Sequence, residues 1–199
     1  MIQEALKAVV GDLNAALRLR RGDSRDRVVL TSLASPGGRG GGSADEVEDK
    51  VCCVLTQITE EKNIASMAAP RQGPEAAPRL TPPISLNLQV LFAAQYMRYE
   101  VGLEMISQII AHLHAKPLFT PANTPGMHHG LDRLTLEMLK LSLAEQSYLW
   151  GMLGASHSPS ALYSMRMLTF GGGQISAIDP AINEAAVNAP TAAEGGTSR

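Results

Sequence analysis

The start of the chain carries apolar side chains at helical spacing. They recur at steps of four, three, four and four, at Ile2, Leu6, Val9, Leu13 and Leu17. This spacing predicts an amphipathic helix over residues 2–20, with one face against a core. Arginines at its C-terminal end complement the helix dipole, and Gly22 is a typical stop.

Two later segments return to the helical period. One covers about 97–115, with apolar positions at Tyr99, Leu103, Ile106, Ile110 and Leu113. The other begins at Ser142, which forms a capping box with Glu145, and ends near Gly154. We expect a helix in each.

Other segments have the composition or the two-residue alternation of β-strands. The clearest begins at Ile84, where apolar residues alternate with Ser85, Asn87 and Gln89. The predicted strands cover residues 27–33, 50–59, 84–92, 134–138 and 160–170.

Glycine- and proline-rich segments separate these elements. We expect flexible loops at 35–43 (SPGGRGGGS) and 64–82, and a disordered low-complexity tail over 171–199. The order α-β-β-β-α-β-α-β, with mostly non-local pairing, predicts one α+β domain over 1–170. Its sheet is mostly antiparallel or mixed and is packed by helices.

Composition narrows the functional classes. Hydrophobic residues make up 45% and charged residues 18% of the chain, and the net charge is −2. No overall field recruits nucleic acid or an anionic membrane. No apolar run approaches the ~18 residues of a membrane span, and the N-terminus lacks the pattern of an export signal. We therefore expect a cytoplasmic protein without nucleic-acid or membrane partners.

The two cysteines, Cys52 and Cys53, are adjacent in an apolar strand. Neighbouring strand residues point to opposite faces, so these two are poorly placed to form a disulfide with each other. We expect reduced thiols, one packed inward and one outward. A Cys–His nucleophile is a weaker alternative, because burial makes thiols inert.

The histidines give little support to a metal site. His112 and His114 are two positions apart on a helix and do not face together, and His128 and His129 have only Asp132 nearby. The common nucleophile, zinc, phosphate-loop and dinucleotide motifs are absent. The sequence therefore predicts no metal, no cofactor, no catalytic residues and no enzymatic activity.

Two charge clusters are candidate contacts with a partner. The basic residues are Arg18, Arg20, Arg21, Arg25 and Arg27, and the acidic ones are Asp45, Glu46, Glu48 and Asp49. One interpretation is that both are solvated. The other is that the basic cluster of one subunit meets the acidic loop of the next, which would set register and encounter rate more than affinity.

Three further features have an ordinary and an assembly interpretation. Trp150 is expected in the core, although it and Tyr148 are also the residue types of interface anchors. The strand at 27–33 is a candidate exposed edge for a partner's extended arm. The segment PLFTPANTPG, at 117–126, is expected to be a rigid connector because its prolines restrict φ.

The ordered set of segments resembles one protein family. The segments are MIQEALKAVVGDLNAALR, DRVVLTSLA, PPISLNLQVLFAAQYMRYEVGLEMISQIIAHLHAK, PLFTPANTPG, LTLEMLKLSLAE, LWGMLGASHSPSALY and MRMLTF. They resemble the N-terminal domain of tail-terminator, or cap, proteins of phage-tail-like contractile injection systems of the antifeeding-prophage and virulence-cassette kind. The resemblance covers about 1–170. The glycine-rich insert at 35–43 and the tail at 171–199 depart from it.

The resemblance implies a structural subunit of a six-fold ring at the distal end of an inner tube and contractile sheath. Such a ring ends polymerisation and anchors the sheath to the tube, and its partners are further copies, the sheath protein and the tube protein. Two alternatives stay open: a tail-completion or head–tail adaptor protein of a contractile-tailed phage, and a small enzyme with a cysteine-based site.

Overall fold

The computed structural model describes residues 1–33, 47–61, 85–128 and 130–169. The predicted segments 35–43, 64–82 and 171–199, with Asp45 and Glu46, lie outside these ranges. The elements are α1 (Ile2–Arg21), β1 (Val28–Leu30), β2 (Lys50–Glu60), β3 (Ser85–Gln95), α2 (Tyr99–Ala115), β4 (Leu118–Phe119), β5 (Leu131–Met138), α3 (Leu143–Leu153) and β6 (Ser160–Thr169).

All predicted helices and strands are present, which confirms an α+β fold. The structure adds β4, whose two residues are too few to produce a periodic signal. Gly22 ends α1 in the left-handed conformation, with φ of 68°, and the Ser142 capping box begins α3. None of the helices in the described ranges is long and apolar enough to cross a membrane.

The strands form one mixed sheet in the order β1-β2-β3-β6-β5-β4. β1 runs parallel to β2, and the other neighbours are antiparallel. β3 and β6 are the innermost strands, and the two short strands β1 and β4 form the edges. The predicted strand at 27–33 is therefore an edge strand, although only three of its residues pair.

Helices cover both faces of the sheet. α1 and α2 pack on one face, over a core that includes Leu13, Ile109 and Phe92. α3 packs on the other, where Trp150 lies against Leu91 and its neighbours. The structure has three layers, with the sheet in the middle.

The second layer corrects the expectation for the cysteines. Cys53 faces α1 and α2, as an inward residue should. Cys52 points the opposite way but is also buried, because it lies in the core beneath α3. The expectation of an outward thiol is wrong, because α3 covers this part of the sheet and neither of its faces is exposed to solvent here.

The buried side of α2 also differs from the predicted stripe. Tyr99 and Leu103 are 64% and 44% exposed, whereas Met105 and Ile109 are fully buried. The helix lies close to the sheet at Gly102, where an added Cβ would be 3.4 Å from the Cβ of Ala94. Because Gly102 faces the sheet in the first turn of α2, the larger side chains of that turn, Tyr99 and Leu103, face outward.

A buried asparagine joins α1 to β1. The Asn14 Oδ1 accepts from the backbone N–H groups of Arg27 and Val28, both at 2.9 Å, and its Nδ2 donates to the Val28 carbonyl at 2.9 Å. Because β1 has a sheet neighbour on one side only, Asn14 satisfies backbone groups that would otherwise be buried without partners.

We expect Asn14→Leu to lower the free energy of unfolding by about 2–4 kcal/mol, because it leaves two buried backbone groups of Val28 and the partly buried N–H of Arg27 without partners. Urea unfolding followed by circular dichroism measures this. The matched control is Gln3→Leu, an exposed position on the same helix. Equal unfolding midpoints for the two variants would contradict this role of Asn14.

Candidate assembly surfaces

Most of the predicted basic cluster is paired within its own chain. Arg18 pairs with Asp26, Arg21 with Glu104 at 2.6 Å, and Arg27 with Asp23 at 2.5 Å. The Arg27 side chain lowers the pKa of Asp23 by hydrogen bonding, and the Asp23 side chain raises the pKa of Arg27 in the same way. These arginines mainly organise the turn after α1 and tie it to α2.

Two arginines remain available for a partner. Arg20 and Arg25 are exposed, and neither has an ion pair with any residue in the described ranges. Of the predicted acidic loop, Asp45 and Glu46 lie outside those ranges. The contact between subunits stays a prediction, and Arg20 and Arg25 are its best-placed basic residues.

Both charge signs meet in one cavity. The cavity has a volume of about 550 Å³, and its lining includes Arg25, Arg27, Glu48 and Asp49. The structure thus brings the basic and acidic residues together inside a single subunit, which the sequence did not predict.

A residue with an uncommon backbone conformation lies at this cavity. Asp49 has φ of 56°, in the left-handed region that non-glycine residues rarely adopt.

Tyr96 is also in the lining of this cavity. Burial raises the pKa of Tyr96, and the nearby guanidinium groups of Arg27 and Arg21 act in the opposite direction. The β3 end of the cavity therefore carries a buried hydroxyl beside fixed positive charge.

Side-chain hydrogen bonds hold the PLFTPANTPG segment in place. The Asn123 Oδ1 accepts from the Thr120 N–H at 2.9 Å, and its Nδ2 donates to the Leu118 carbonyl at 2.9 Å. The Lys116 Nζ donates to the Asn123 carbonyl at 2.8 Å and to the Asp12 carboxylate at 2.6 Å. The segment is anchored to α1 and has a defined conformation, in agreement with a rigid connector.

Asp12 also joins the two helices of its layer. Its second oxygen lies 2.7 Å from Nε2 of His112, on α2. Neither His112 nor Lys116 is fully buried, with side chains 18% and 22% exposed. The sequence showed these residues but not their contact, because Asp12 lies about a hundred positions away from both.

The third helix combines a buried and an exposed apolar side. Trp150 is 5% exposed, which confirms the prediction that it is a core residue. Tyr148 is 77% exposed, and Leu143 and Met152 are 87% and 67% exposed. Helix α3 therefore has large apolar side chains on the side that faces away from the sheet.

The sheet face beside α3 is polar. Gln57, Thr59 and Arg166 are exposed there, and the Ser164 hydroxyl donates to the Asn87 side chain at 2.6 Å. The apolar outer side of α3 thus lies next to a hydrophilic sheet surface.

The reactive residue types of the chain are placed for packing. Burial raises the pKa of Cys52 to about 11 and that of Cys53 to about 12. Across the described residues, no three His, Cys, Asp or Glu side chains are grouped as metal ligands would be. His157 lies against Trp150, with ring centroids 5.3 Å apart.

The chain matches one protein-family model and resembles known structures. The family model of the Pvc16 N-terminal domain matches residues 2–184. A sheath/tube terminator, in the extended state, of the extracellular contractile injection system PVC has a similar structure, with a TM-score of 0.55 and 18% identity. The match covers 98% of this chain and 65% of that chain.

A second solved structure is the tube-terminating cap of the anti-feeding prophage. It is 14% identical with a TM-score of 0.48, and the match covers 92% of this chain and 60% of that chain. This chain therefore spans less than two thirds of the length of either protein. No protein with a curated description matches the sequence.

We expect both cysteines to be unreactive in the folded protein. Their thiols are fully buried and their pKa values lie far above neutrality, so almost no thiolate is present at pH 8. Ellman's reagent should label neither in buffer and both in denaturant. Rapid labelling of one thiol in the native protein would contradict this expectation and would favour the alternative of an enzyme with a cysteine-based site.

Proposed function

The chain belongs to the Pvc16 N-terminal domain family, and from this membership we propose that it is a terminator, or cap, subunit of a phage-tail-like contractile injection particle. In this role, copies form a ring at the distal end of the inner tube and sheath. The ring ends polymerisation and anchors the last sheath layer to the tube. The observation that carries the proposal is the family match over 2–184, which includes every described element.

The three-layer fold suits a protein that must bind a repeating end once and then stop growth. Its two edge strands are only three and two residues long, which limits edge-to-edge addition of further sheets. Heterologous contacts that close on themselves give a ring, and a closed ring offers no further copy of its own contact surface. A six-fold ring would match the resemblance found in the sequence.

The proposed partners are other copies of the chain, the sheath protein and the tube protein. The edge strand β1 offers at most a very short site for an extended arm of such a partner, because Asn14 already bonds the backbone groups of Val28. Leu30, partly exposed at its end, is the position left open. The rigid segment 117–126 offers a second fixed surface. The proposed place of assembly is the cytoplasm, followed by incorporation into the particle.

A structural role agrees with the chemistry of the described residues. The cysteines are buried among apolar side chains, and the lining of the cavity that holds both charge signs contains no described Cys, Ser or His. We propose that the protein is not an enzyme and acts through its surfaces.

Deletion of the gene tests the proposed role. We expect particles with overlong tubes, or sheaths detached from tubes, because nothing stops polymerisation at the distal end. Electron microscopy of purified particles measures the length distribution, and expression of the intact gene in trans should restore uniform lengths. Particles of normal and uniform length in the deletion strain would reject the terminator role.

The two unpaired arginines give a separate test of the contact between subunits. We expect Arg20→Glu combined with Arg25→Glu to weaken self-association and reduce its dependence on salt, because cross-boundary ion pairs are lost. Sedimentation at several salt concentrations measures both quantities. The control is Lys7→Glu, an exposed position at the other end of α1. Equal salt dependence in the two variants would reject the contact between subunits and favour the interpretation that the charge clusters are solvated.

A further inference from the structure

Each edge strand of the sheet is bonded by the side chain of an asparagine. Asn14, on α1, bonds the backbone at β1, and Asn123, in the segment 117–126, bonds the backbone at β4. An edge strand has N–H and C=O groups that point away from the sheet, and a strand of another molecule can pair with them. An asparagine amide carries both a donor and an acceptor, so it can occupy such groups in place of a strand.

The groups that Asn14 bonds lie on the outer side of β1. The Arg27 carbonyl accepts from the Val51 N–H at 2.7 Å, on the side of β2. Backbone groups of successive strand residues point to opposite sides, so the N–H and C=O of Val28 point away from β2. Asn14 bonds both of them at 2.9 Å. It supplies the donor and the acceptor that an antiparallel strand would bring to this residue.

Asn123 has the same relation to the other edge of the sheet. The Pro117 carbonyl accepts from the Leu136 N–H at 2.9 Å, on the side of β5, so the backbone groups of Leu118 point outward. The Leu118 carbonyl accepts from Nδ2 of Asn123, and the Thr120 N–H donates to its Oδ1, both at 2.9 Å. One residue of an added parallel strand would bond the same two groups.

The chain around β4 blocks this edge further. The Thr120 carbonyl accepts from the backbone N–H groups of Asn123 and Thr124, at 3.1 and 2.9 Å. Prolines at 117 and 121 flank the strand, and a proline has no N–H to contribute to a ladder of hydrogen bonds. An added strand would therefore have to displace bonds that the chain already makes.

A purely local role for the two asparagines explains less. Asn123 belongs to a turn and Asn14 to a helix, and each could satisfy backbone groups of its own surroundings alone. Both side chains instead bond the outward groups of an edge strand. The same chemistry thus occurs at the two ends of one sheet, from unrelated parts of the chain.

We propose that Asn14 and Asn123 are edge caps, which we define as side chains that occupy the place of an added strand and block the sheet to strands of other molecules. This inference goes beyond the proposed function, because it concerns how the sheet ends and not what the subunit binds. In a protein that stops the growth of a polymer, edge caps remove one route by which further copies could add. Contacts with partners then depend on side-chain surfaces more than on continuation of the sheet.

The test compares Asn123→Ala with Asn123→Asp in the full chain. Asn123 is exposed, whereas Asn14 is 6% exposed, so replacement of Asn123 disturbs folding less. Alanine removes both bonds and opens the edge at β4. Aspartate also loses the bond to the Leu118 carbonyl, but it keeps an acceptor for the Thr120 N–H and adds a charge that opposes strand addition. It is therefore the matched control.

We expect the alanine variant to associate more strongly than the unaltered protein and the aspartate variant to associate no more than it. Two hydrogen bonds become available to another strand, so association through this edge should strengthen at least about tenfold. Light scattering over a range of concentrations measures association, and infrared spectroscopy of the amide band reports intermolecular β-sheet. Circular dichroism checks that both variants are folded. Equal association of the two variants, or a folded alanine variant that associates like the unaltered protein, would overturn the proposal.

Hydrogen exchange tests both edge caps in the unaltered protein. The amide protons of Val28 and Thr120 point out of the sheet, and we expect each to exchange at least about tenfold more slowly than an unbonded amide, because an asparagine accepts from it. Exchange of both at the rate of an unfolded chain would overturn the proposal, even if the alanine variant fails to fold. In a folded Asn123→Ala protein at low concentration, Thr120 should lose its protection and Val28 should keep it.

These results are independent of the terminator role. Absence of edge caps, combined with overlong particles in the deletion strain, would reject only the edge caps. Particles of normal length in that strain would reject the terminator role and leave the edge caps in place.

Discussion

The fold depends on the burial of strands β3 and β6 from both sides. The two strands pair over residues 85–93 and 160–168, and each has a further strand on its other edge. Phe92 points into the core beneath α1 and α2, whereas Leu91 points into the core beneath α3. A shift of one residue in register would exchange these faces, so the two helical layers together determine the pairing. Every other element is placed relative to this pair of strands.

Coverage of the second face is incomplete, and this divides β3 into two parts. The first part has a polar outer side at Asn87 and Gln89, which lies beyond α3. The second part, from Leu91 to Ala94, is buried on both sides. The same division separates the polar sheet surface from the apolar surface of α3. The surface chemistry of the subunit thus follows from how far one short helix extends over the sheet.

Charge has a more local role. Most arginines near the end of α1 pair with carboxylates from the next turn or from α2, and this fixes the path into β1. Asn14 completes that path with neutral hydrogen bonds to the backbone. Of the five arginines near the end of α1, Arg20 and Arg25 are the two without an ion pair among the described residues. Exposed ion pairs contribute little energy, so these two arginines would add little affinity to the proposed contact between subunits.

The sequence by itself determined the helices, the longer strands and the α+β class, because periodicity and end signals are local properties of the chain. It also determined the family, through the resemblance of its ordered segments. Alternation of apolar and polar residues located the first part of β3, where one face of the strand is polar. From Leu91 to the end of the strand at Gln95 both faces are apolar, so the alternation is lost. Only the tertiary structure decided that Cys52 is buried, that Tyr99 faces outward, and that Asp12 joins His112 and Lys116. The physical reason is the same in each case. Burial and long-range contact depend on which elements pack together, and a single strand or helix carries no information about what covers its second face.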